Sequence, residues 1–124
     1  MTRPYDPSNV FARILRGELP CKKIHENAHV LAFADVRPLL PIHVLIIPKG
    51  AYVTMDDFTA KATPEEIVAL FRAVGEVARI SGAESGGYRV IINNGENGHQ
   101  EVPHLHIHVL GGKPVGRMVG VPKT

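Results

Sequence analysis

The chain of 124 residues contains no tryptophan and a single cysteine, Cys21, and these scarcities narrow what the protein can be. With one cysteine, no disulfide can form within the chain, which favours a protein that works in the reducing cytoplasm. No purely apolar run, residues 44–47 included, approaches the roughly 20 residues that a membrane-spanning helix needs. Charged residues interrupt the N-terminal stretch, so we expect neither a signal peptide nor a membrane partner.

An excess of charge of one sign is also missing. Fourteen basic side chains stand against 12 acidic ones, giving a formal net charge of +2 that is spread along the chain. This balance gives no case for a nucleic-acid-binding protein. The hydrophobic content of 44% is that of an ordinary folded protein, and the length predicts one domain.

Periodicity and capping residues predict an α+β fold. Ser8 is expected to cap a short helix over residues 9–16, and a capping box, Thr63 with Glu66, is expected to open a longer helix that Gly82 ends. Alternating or β-branched segments predict five strands, over residues 22–26, 30–36, 43–48, 87–94 and 104–110. Because consecutive strands are joined by short links, we expect a five-stranded antiparallel sheet with two helices.

Histidine is the residue in unusual supply. There are seven, and four of them fall between His99 and His108. Residues 104–109 alternate strictly, so a strand there would place Leu105, Ile107 and Val109 on one face and three histidines on the other. Histidine titrates near neutral pH, which makes such a row unusual for a plain solvated surface.

Two chemistries use a row of this kind. A zinc ion could take two nitrogens from it and a third ligand from Glu101, Asp35 or His43, although the chain has no recognised zinc motif. Alternatively, a neutral imidazole could attack a phosphorus atom while neighbouring donors stabilise the phosphoryl oxygens. The glycine-containing segment 93–98 could offer backbone N–H groups to a phosphate, but such segments are also common as plain turns.

The row resembles the signature of the histidine-triad (HIT) superfamily, in which three histidines alternate with apolar residues, as in residues 104–110, HLHIHVL. Residues 31–36, 41–49 and 87–93 resemble further parts of that family, so the likeness covers nearly the whole chain. The ending Leu110-Gly111-Gly112 is similar to the nucleotide-binding, purine nucleoside phosphoramidase branch. The resemblance implies a single HIT-like domain over residues 1–124, with 1–8 and 113–124 as tails that are flexible or contact a partner subunit. It also implies a homodimer whose sheets join edge to edge.

The same resemblance implies catalytic roles for four histidines. His106, the middle residue of the triad, is expected to attack the α-phosphorus and to become transiently nucleotidylated. His108 is expected to contact the phosphate, and His104 to support the orientation of the nucleophile. His43, which precedes a buried strand, matches another histidine that lines the family's site.

Nucleotide-binding positions follow from the resemblance as well. Asp35, with Val36 beside it, matches the acidic residue that binds the ribose hydroxyls, a role that suits a carboxylate with two acceptor oxygens. The apolar base pocket is expected to contain Val10, Phe11, Phe33 and Leu45. The phosphate-loop positions are matched by Asn93, His99, Gln100 and Glu101.

The sequence departs from the family pattern at three places. Eukaryotic members often carry serine where this chain has Glu101, so either the backbone N–H acts there or the carboxylate points away. His99 stands where glycine is common, and we interpret it as a residue of the loop surface. Familiar members have a C-terminal tryptophan that this chain lacks, so residues 113–124 are expected to set a different substrate preference.

The resemblance implies hydrolysis of the P–N bond in a nucleoside 5′-monophosphoramidate of AMP or GMP. The reaction would pass through a nucleotidyl-histidine and would need no cofactor and no metal. Three alternatives stay open at this point: a nucleotide-binding module without catalysis, a diadenosine polyphosphate hydrolase, and a metal-dependent hydrolase.

Overall fold

The computed structural model describes residues 4–119, and these form an α+β fold around one antiparallel sheet. The order of the strands across the sheet is β1-β2-β3-β5-β4, and every neighbouring pair is antiparallel. The five-stranded antiparallel sheet is therefore confirmed. The strands are β1 Lys23–Glu26, β2 Val30–Ala34, β3 Ile42–Pro48, β4 Tyr88–Ile92 and β5 Ile107–Gly111.

The described part of the chain contains four helices, so the expectation of two was too low. They are α1 Val10–Leu15, α2 Met55–Lys61, α3 Pro64–Ser81 and α4 Ala83–Gly86. The sequence does carry a start signal for α2, since Asp57 follows Thr54 by three residues, as in a capping box. In the structure the Asp57 carboxylate accepts the backbone N–H of Thr54 at 2.7 Å. Helix α4 is a single turn, which is too short to show a helical period.

Helix α3 begins and ends as its sequence predicts. The Thr63 hydroxyl accepts the Glu66 N–H at 3.1 Å, and the Glu66 carboxylate accepts the Thr63 N–H at 3.0 Å. Gly82 closes the helix with a φ of 84°, a conformation that glycine adopts without steric cost. Leu70 is fully buried on the face of α3 that packs on the sheet, whereas the adjacent Phe71 is 51% exposed.

Helix α1 starts one residue away from its predicted cap. The Asn9 side chain accepts the Ala12 N–H at 2.9 Å and is the true N-cap, whereas the Ser8 hydroxyl donates to Asp6. Phe11 and Ala12 are buried beneath the helix. The helix therefore packs on the sheet chiefly through its first turn.

Each face of the sheet packs against a different helix. On one face, α3 covers alternate residues of three strands, among them Val30, Ile46 and Val109. On the other face, Phe11 of α1 packs with Leu31, Phe33, Leu45 and Ile47. The described residues include no helix long and apolar enough to cross a membrane.

The strand predicted over residues 104–110 begins later, at Ile107. Leu105 is excluded from the sheet because its N–H donates to the Tyr52 carbonyl at 2.8 Å rather than to a neighbouring strand. The alternation of side chains nevertheless continues through this irregular stretch. Leu105, Ile107 and Val109 are fully buried on the α3 face, as predicted.

Candidate active site

A cavity of about 370 Å³ opens on the α1 face of the sheet. Apolar side chains form most of its wall, and two carboxylates and two triad histidines complete it. The lining residues are Val10, Phe11, Ile14, Leu19, Pro20, Cys21, Phe33, Ala34, Asp35, Val36, Leu45, Glu101, Val102, His106 and His108. Its size and its apolar wall with few polar groups are typical of a small-molecule site.

The register of the sheet explains why these residues meet. Phe33 is paired with Leu45, and Leu45 is paired with His108, so the three side chains form a row across β2, β3 and β5. His43 lies two residues before Leu45 on the same face, diagonal to His108. Asp35 follows β2 directly, and its backbone N–H donates to the His43 carbonyl at 3.0 Å.

His106 is buried with one ring nitrogen committed to the backbone. Its Nδ1 lies 2.8 Å from the His104 carbonyl oxygen, which can only accept, so Nδ1 carries the proton. The lone pair of the neutral ring is therefore on Nε2. Burial lowers the pKa of His106 below its usual value, which keeps the ring neutral at neutral pH. Phe11 packs edge-on against the ring at a centroid distance of 5.0 Å.

A chain of hydrogen bonds assigns the opposite tautomer to His108. The Leu39 N–H donates to His43 Nδ1 at 3.1 Å, so the proton of neutral His43 is on Nε2. That Nε2 lies 2.9 Å from His108 Nδ1 and 3.3 Å from Asp35 Oδ2. His108 Nδ1 therefore accepts, and the proton of His108 is on Nε2. Burial lowers the pKa of His108 to about 4 and also lowers that of His43.

Asp35, His43 and His108 are also the one group among the described residues whose ligand atoms lie close enough for a metal ion, within 4.8 Å of one another. Their surroundings do not fit one. A metal-binding histidine donates its second N–H to an acceptor, whereas the second nitrogen of His43 faces the Leu39 N–H, a donor. A metal on His43 Nε2 would require a tautomer that this backbone group opposes, so these residues do not fit a metal.

His104 is completely buried and uses both ring nitrogens. Nε2 lies 2.8 Å from the Pro48 carbonyl oxygen and must carry the proton, so Nδ1 accepts from the Tyr5 hydroxyl at 2.6 Å. Burial lowers the pKa of His104 to about 4. With both nitrogens occupied and no face in the cavity, this ring supports its neighbours.

The loop that precedes the triad is held by its own side chains. The Gln100 amide accepts the Gly95 N–H at 2.9 Å and donates to the carbonyls of Val53 and Val102. Gln100 thus stabilises the loop, and its side chain lies outside the cavity wall. Asn93, half-buried just after β4, also lies outside that wall.

His99 and Glu101 point into solvent. His99 has a φ of 59°, a left-handed conformation that glycine adopts more readily than other residues do. The Glu101 side chain is 78% exposed and lies 3.3 Å from the His99 ring. The Glu101 carboxylate is thus largely solvent-exposed at the rim of the cavity.

Several residues of the site were absent from the expectations. Tyr5 and the Pro48 carbonyl fix the tautomer of His104, and the Leu39 N–H fixes that of His43. Further parts of the cavity wall were also missed; these are Ile14, Leu19, Pro20, Cys21, Ala34 and Val102. Gly17, with a φ of 78°, forms the turn after α1, and the residues that follow it, Leu19, Pro20 and Cys21, line the cavity.

Comparison with known proteins agrees with this geometry. The family model of the HIT domain matches residues 16–115. An uncharacterized 13.2 kDa HIT-like protein of Azospirillum brasilense is 63% identical over 119 residues, covering 96% of this chain and 98% of the relative. The purine nucleoside phosphoramidase of Escherichia coli K12 is 36% identical over 110 residues, covering 89% of this chain and 92% of the relative. Among solved structures, a HIT family hydrolase from Clostridium thermocellum has a TM-score of 0.83 at 35% identity, covering 90% of this chain and 96% of the other.

The protein therefore belongs to the HIT domain family, as its histidine triad implied.

Proposed function

We propose that this protein hydrolyses nucleoside 5′-monophosphoramidates at the P–N bond, with AMP or GMP as the released nucleotide. One observation carries the proposal: the cavity is lined by His106, whose Nε2 has a free lone pair, and by His108, whose Nε2 carries a proton. A nucleophile beside a hydrogen-bond donor is what attack on a phosphoryl group requires. The similarity to a purine nucleoside phosphoramidase supports the choice of substrate.

In the first step, His106 Nε2 forms a bond to the α-phosphorus and the P–N bond breaks. The amine leaves with the electron pair of that bond and takes up a proton, while the nucleotide stays on His106. Water then attacks the phosphorus and releases a proton to solvent, the P–N bond to His106 breaks, and the nucleoside monophosphate is released. His108 Nε2–H stabilises the charge on the phosphoryl oxygens in both steps.

The remaining lining residues suit the rest of a nucleotide. The apolar wall formed by Val10, Phe11, Phe33 and Leu45 offers a flat, dry surface to a purine base. Asp35 Oδ1 is used by the Arg37 N–H at 2.8 Å, and its carboxylate retains further lone pairs for the ribose hydroxyls. Asn93 and the 99–101 segment would border the phosphates through backbone groups.

A homodimer is part of the proposal. Strand β4 is an outer strand of the sheet, and Tyr88 and Val90 on it are about 40% exposed. An exposed apolar edge strand readily pairs with another chain, so pairing of β4 with β4 of a second copy would cover it. We place this dimer in the cytoplasm, consistent with the lone Cys21. Sedimentation equilibrium, which reports the mass in solution, tests the dimer.

The decisive experiment is hydrolysis of adenosine 5′-monophosphoramidate, with and without EDTA, by the wild type, His106→Ala and the control His29→Ala. His29 lies outside the cavity wall, in the β1–β2 turn. We expect EDTA to have no effect and His106→Ala to lower kcat at least ~10³-fold, as loss of a nucleophile does.

Other outcomes would point to other functions. AMP binding without turnover would indicate a non-catalytic nucleotide-binding module. Faster cleavage of diadenosine polyphosphates, assayed in parallel, would indicate that branch of the family. Loss of activity in EDTA with recovery in Zn²⁺ would contradict the tautomer argument for His43.

A further inference from the structure

Tyr5, which lies outside the matched HIT region, forms a hydrogen bond with a histidine of the triad. Tyr5 precedes residue 16, where the family match begins, and is 99 positions from His104 in the chain. Its hydroxyl nevertheless lies 2.6 Å from His104 Nδ1, and its ring packs edge-on against the His104 ring at 5.6 Å. The tyrosine thus meets the histidine through both its polar and its apolar parts.

The direction of this hydrogen bond follows from the other side of the ring. His104 Nε2 must donate to the Pro48 carbonyl, so Nδ1 of the neutral ring has only a lone pair. The Tyr5 hydroxyl is therefore the donor. Without it, a fully buried acceptor would have no partner, and the His104 ring would be free to tilt or change tautomer.

The position of His104 also affects His106, the proposed nucleophile, through one further hydrogen bond. The carbonyl of His104 itself accepts the Nδ1–H of His106 at 2.8 Å. Any movement of His104 therefore moves the group that fixes the tautomer of His106. Phe11 packs against both rings, at 6.2 Å from His104 and 5.0 Å from His106, which couples the two positions further.

The segment that carries Tyr5 is itself tied to α1. Asp6 accepts the N–H of Ser8 through its carboxylate and that of Asn9 through its carbonyl. Arg16, just past the end of the helix, donates to the Pro7 carbonyl at 2.8 Å. These bonds give the tyrosine a defined position.

We infer that Tyr5 is a positioning residue of the active site: its hydroxyl fixes the tautomer and orientation of His104 and, through the His104 carbonyl, orients His106. The inference rests on the proposed function only for its effect on rate. The effect on the histidine rings is independent of any substrate, so the two can be tested separately.

The test compares Tyr5→Phe with the matched control Tyr52→Phe. Both variants lose a hydroxyl and keep the ring, but the Tyr52 hydroxyl bonds to Glu66, away from the cavity. We expect Tyr5→Phe to lower kcat for adenosine 5′-monophosphoramidate about tenfold with KM unchanged within about twofold, because Tyr5 does not line the cavity. In ¹⁵N NMR spectra, the ring nitrogens of His104 and His106 should shift in Tyr5→Phe and stay in place in Tyr52→Phe.

Unchanged ring-nitrogen signals in a folded Tyr5→Phe protein would overturn the inference, and so would an equal fall of kcat in the control. Should the wild type fail to hydrolyse the substrate, the proposed function fails, and the NMR arm alone decides the role of Tyr5. Thermal unfolding of both variants establishes that each is folded at the assay temperature.

Discussion

Acidification from pH 7 to pH 5 is expected to destabilise the fold through His104, and the size of the effect can be calculated. Burial lowers the pKa of this ring from an ordinary 6.5 to about 4 in the folded state. Between these values the unfolded chain binds a proton that the folded chain does not, so stability is complete above pH 6.5 and falls as the pH drops toward 4. Linkage gives a loss of about 2 kcal/mol between pH 7 and pH 5 from His104 alone.

The assay is urea unfolding followed by far-UV circular dichroism, since the chain has no tryptophan to report by fluorescence. Protein concentration is held constant, because association would shift the apparent stability. His104→Gln keeps an N–H for the Pro48 carbonyl but cannot be protonated, so its free energy of unfolding should lose about 2 kcal/mol less than that of the wild type over this pH range. His29→Gln serves as the control and should behave as the wild type does.

The lowered pKa values of His106 and His108 act in the same direction and remain in every variant. The comparison therefore isolates His104 by difference. An identical pH dependence in the wild type and His104→Gln would refute the reasoning, because it would show that the ring takes up its proton without unfolding.

Two further predictions concern ligand binding. A Cβ on Gly98 would lie 2.6 Å from the Asn94 carbonyl oxygen, so Gly98→Ala should displace the loop and weaken AMP binding, measured by calorimetry, at least about fivefold. The control Gly86→Ala places its Cβ in open space and should leave the affinity unchanged. Equal affinities of the two variants would show that the loop does not contact the nucleotide. Asp35→Asn should reduce the preference for AMP over 2′,3′-dideoxy-AMP about tenfold or more, since a neutral amide makes weaker bonds to hydroxyls than a carboxylate does. An undiminished preference would remove Asp35 from ribose recognition.

Much of the fold could be predicted because its signals are local. The period of residues 104–109 correctly places Leu105 and Ile107 in the core, and the capping box at Thr63 marks the start of α3. The prediction of the α1 cap was wrong by one residue. Asn9 caps the helix instead of the expected Ser8, because the Ser8 side chain bonds to Asp6. Capping residues adjacent in sequence compete, and only the structure shows which one prevails.

The site was less accessible to sequence reasoning. The resemblance selected nine of the residues that line the cavity, but not the tautomers on which their chemistry depends. The tautomer of His108 follows from the Leu39 N–H, acting through His43, and that of His104 from Tyr5 and the Pro48 carbonyl; all three groups are distant from the triad in the chain. Hydrogen bonds to single backbone groups have no period, so a linear sequence does not display them.

Strand β5, which carries His108, is hydrogen-bonded to β3 on one side and to β4 on the other. Its amide hydrogens can exchange with solvent only when the sheet separates, so they should be among the slowest in the protein. The exposed rim formed by Val10, Val36 and Glu101 has no such constraint. Sequence change can therefore accumulate at the rim while the row formed by Phe33, Leu45 and His108 keeps its geometry.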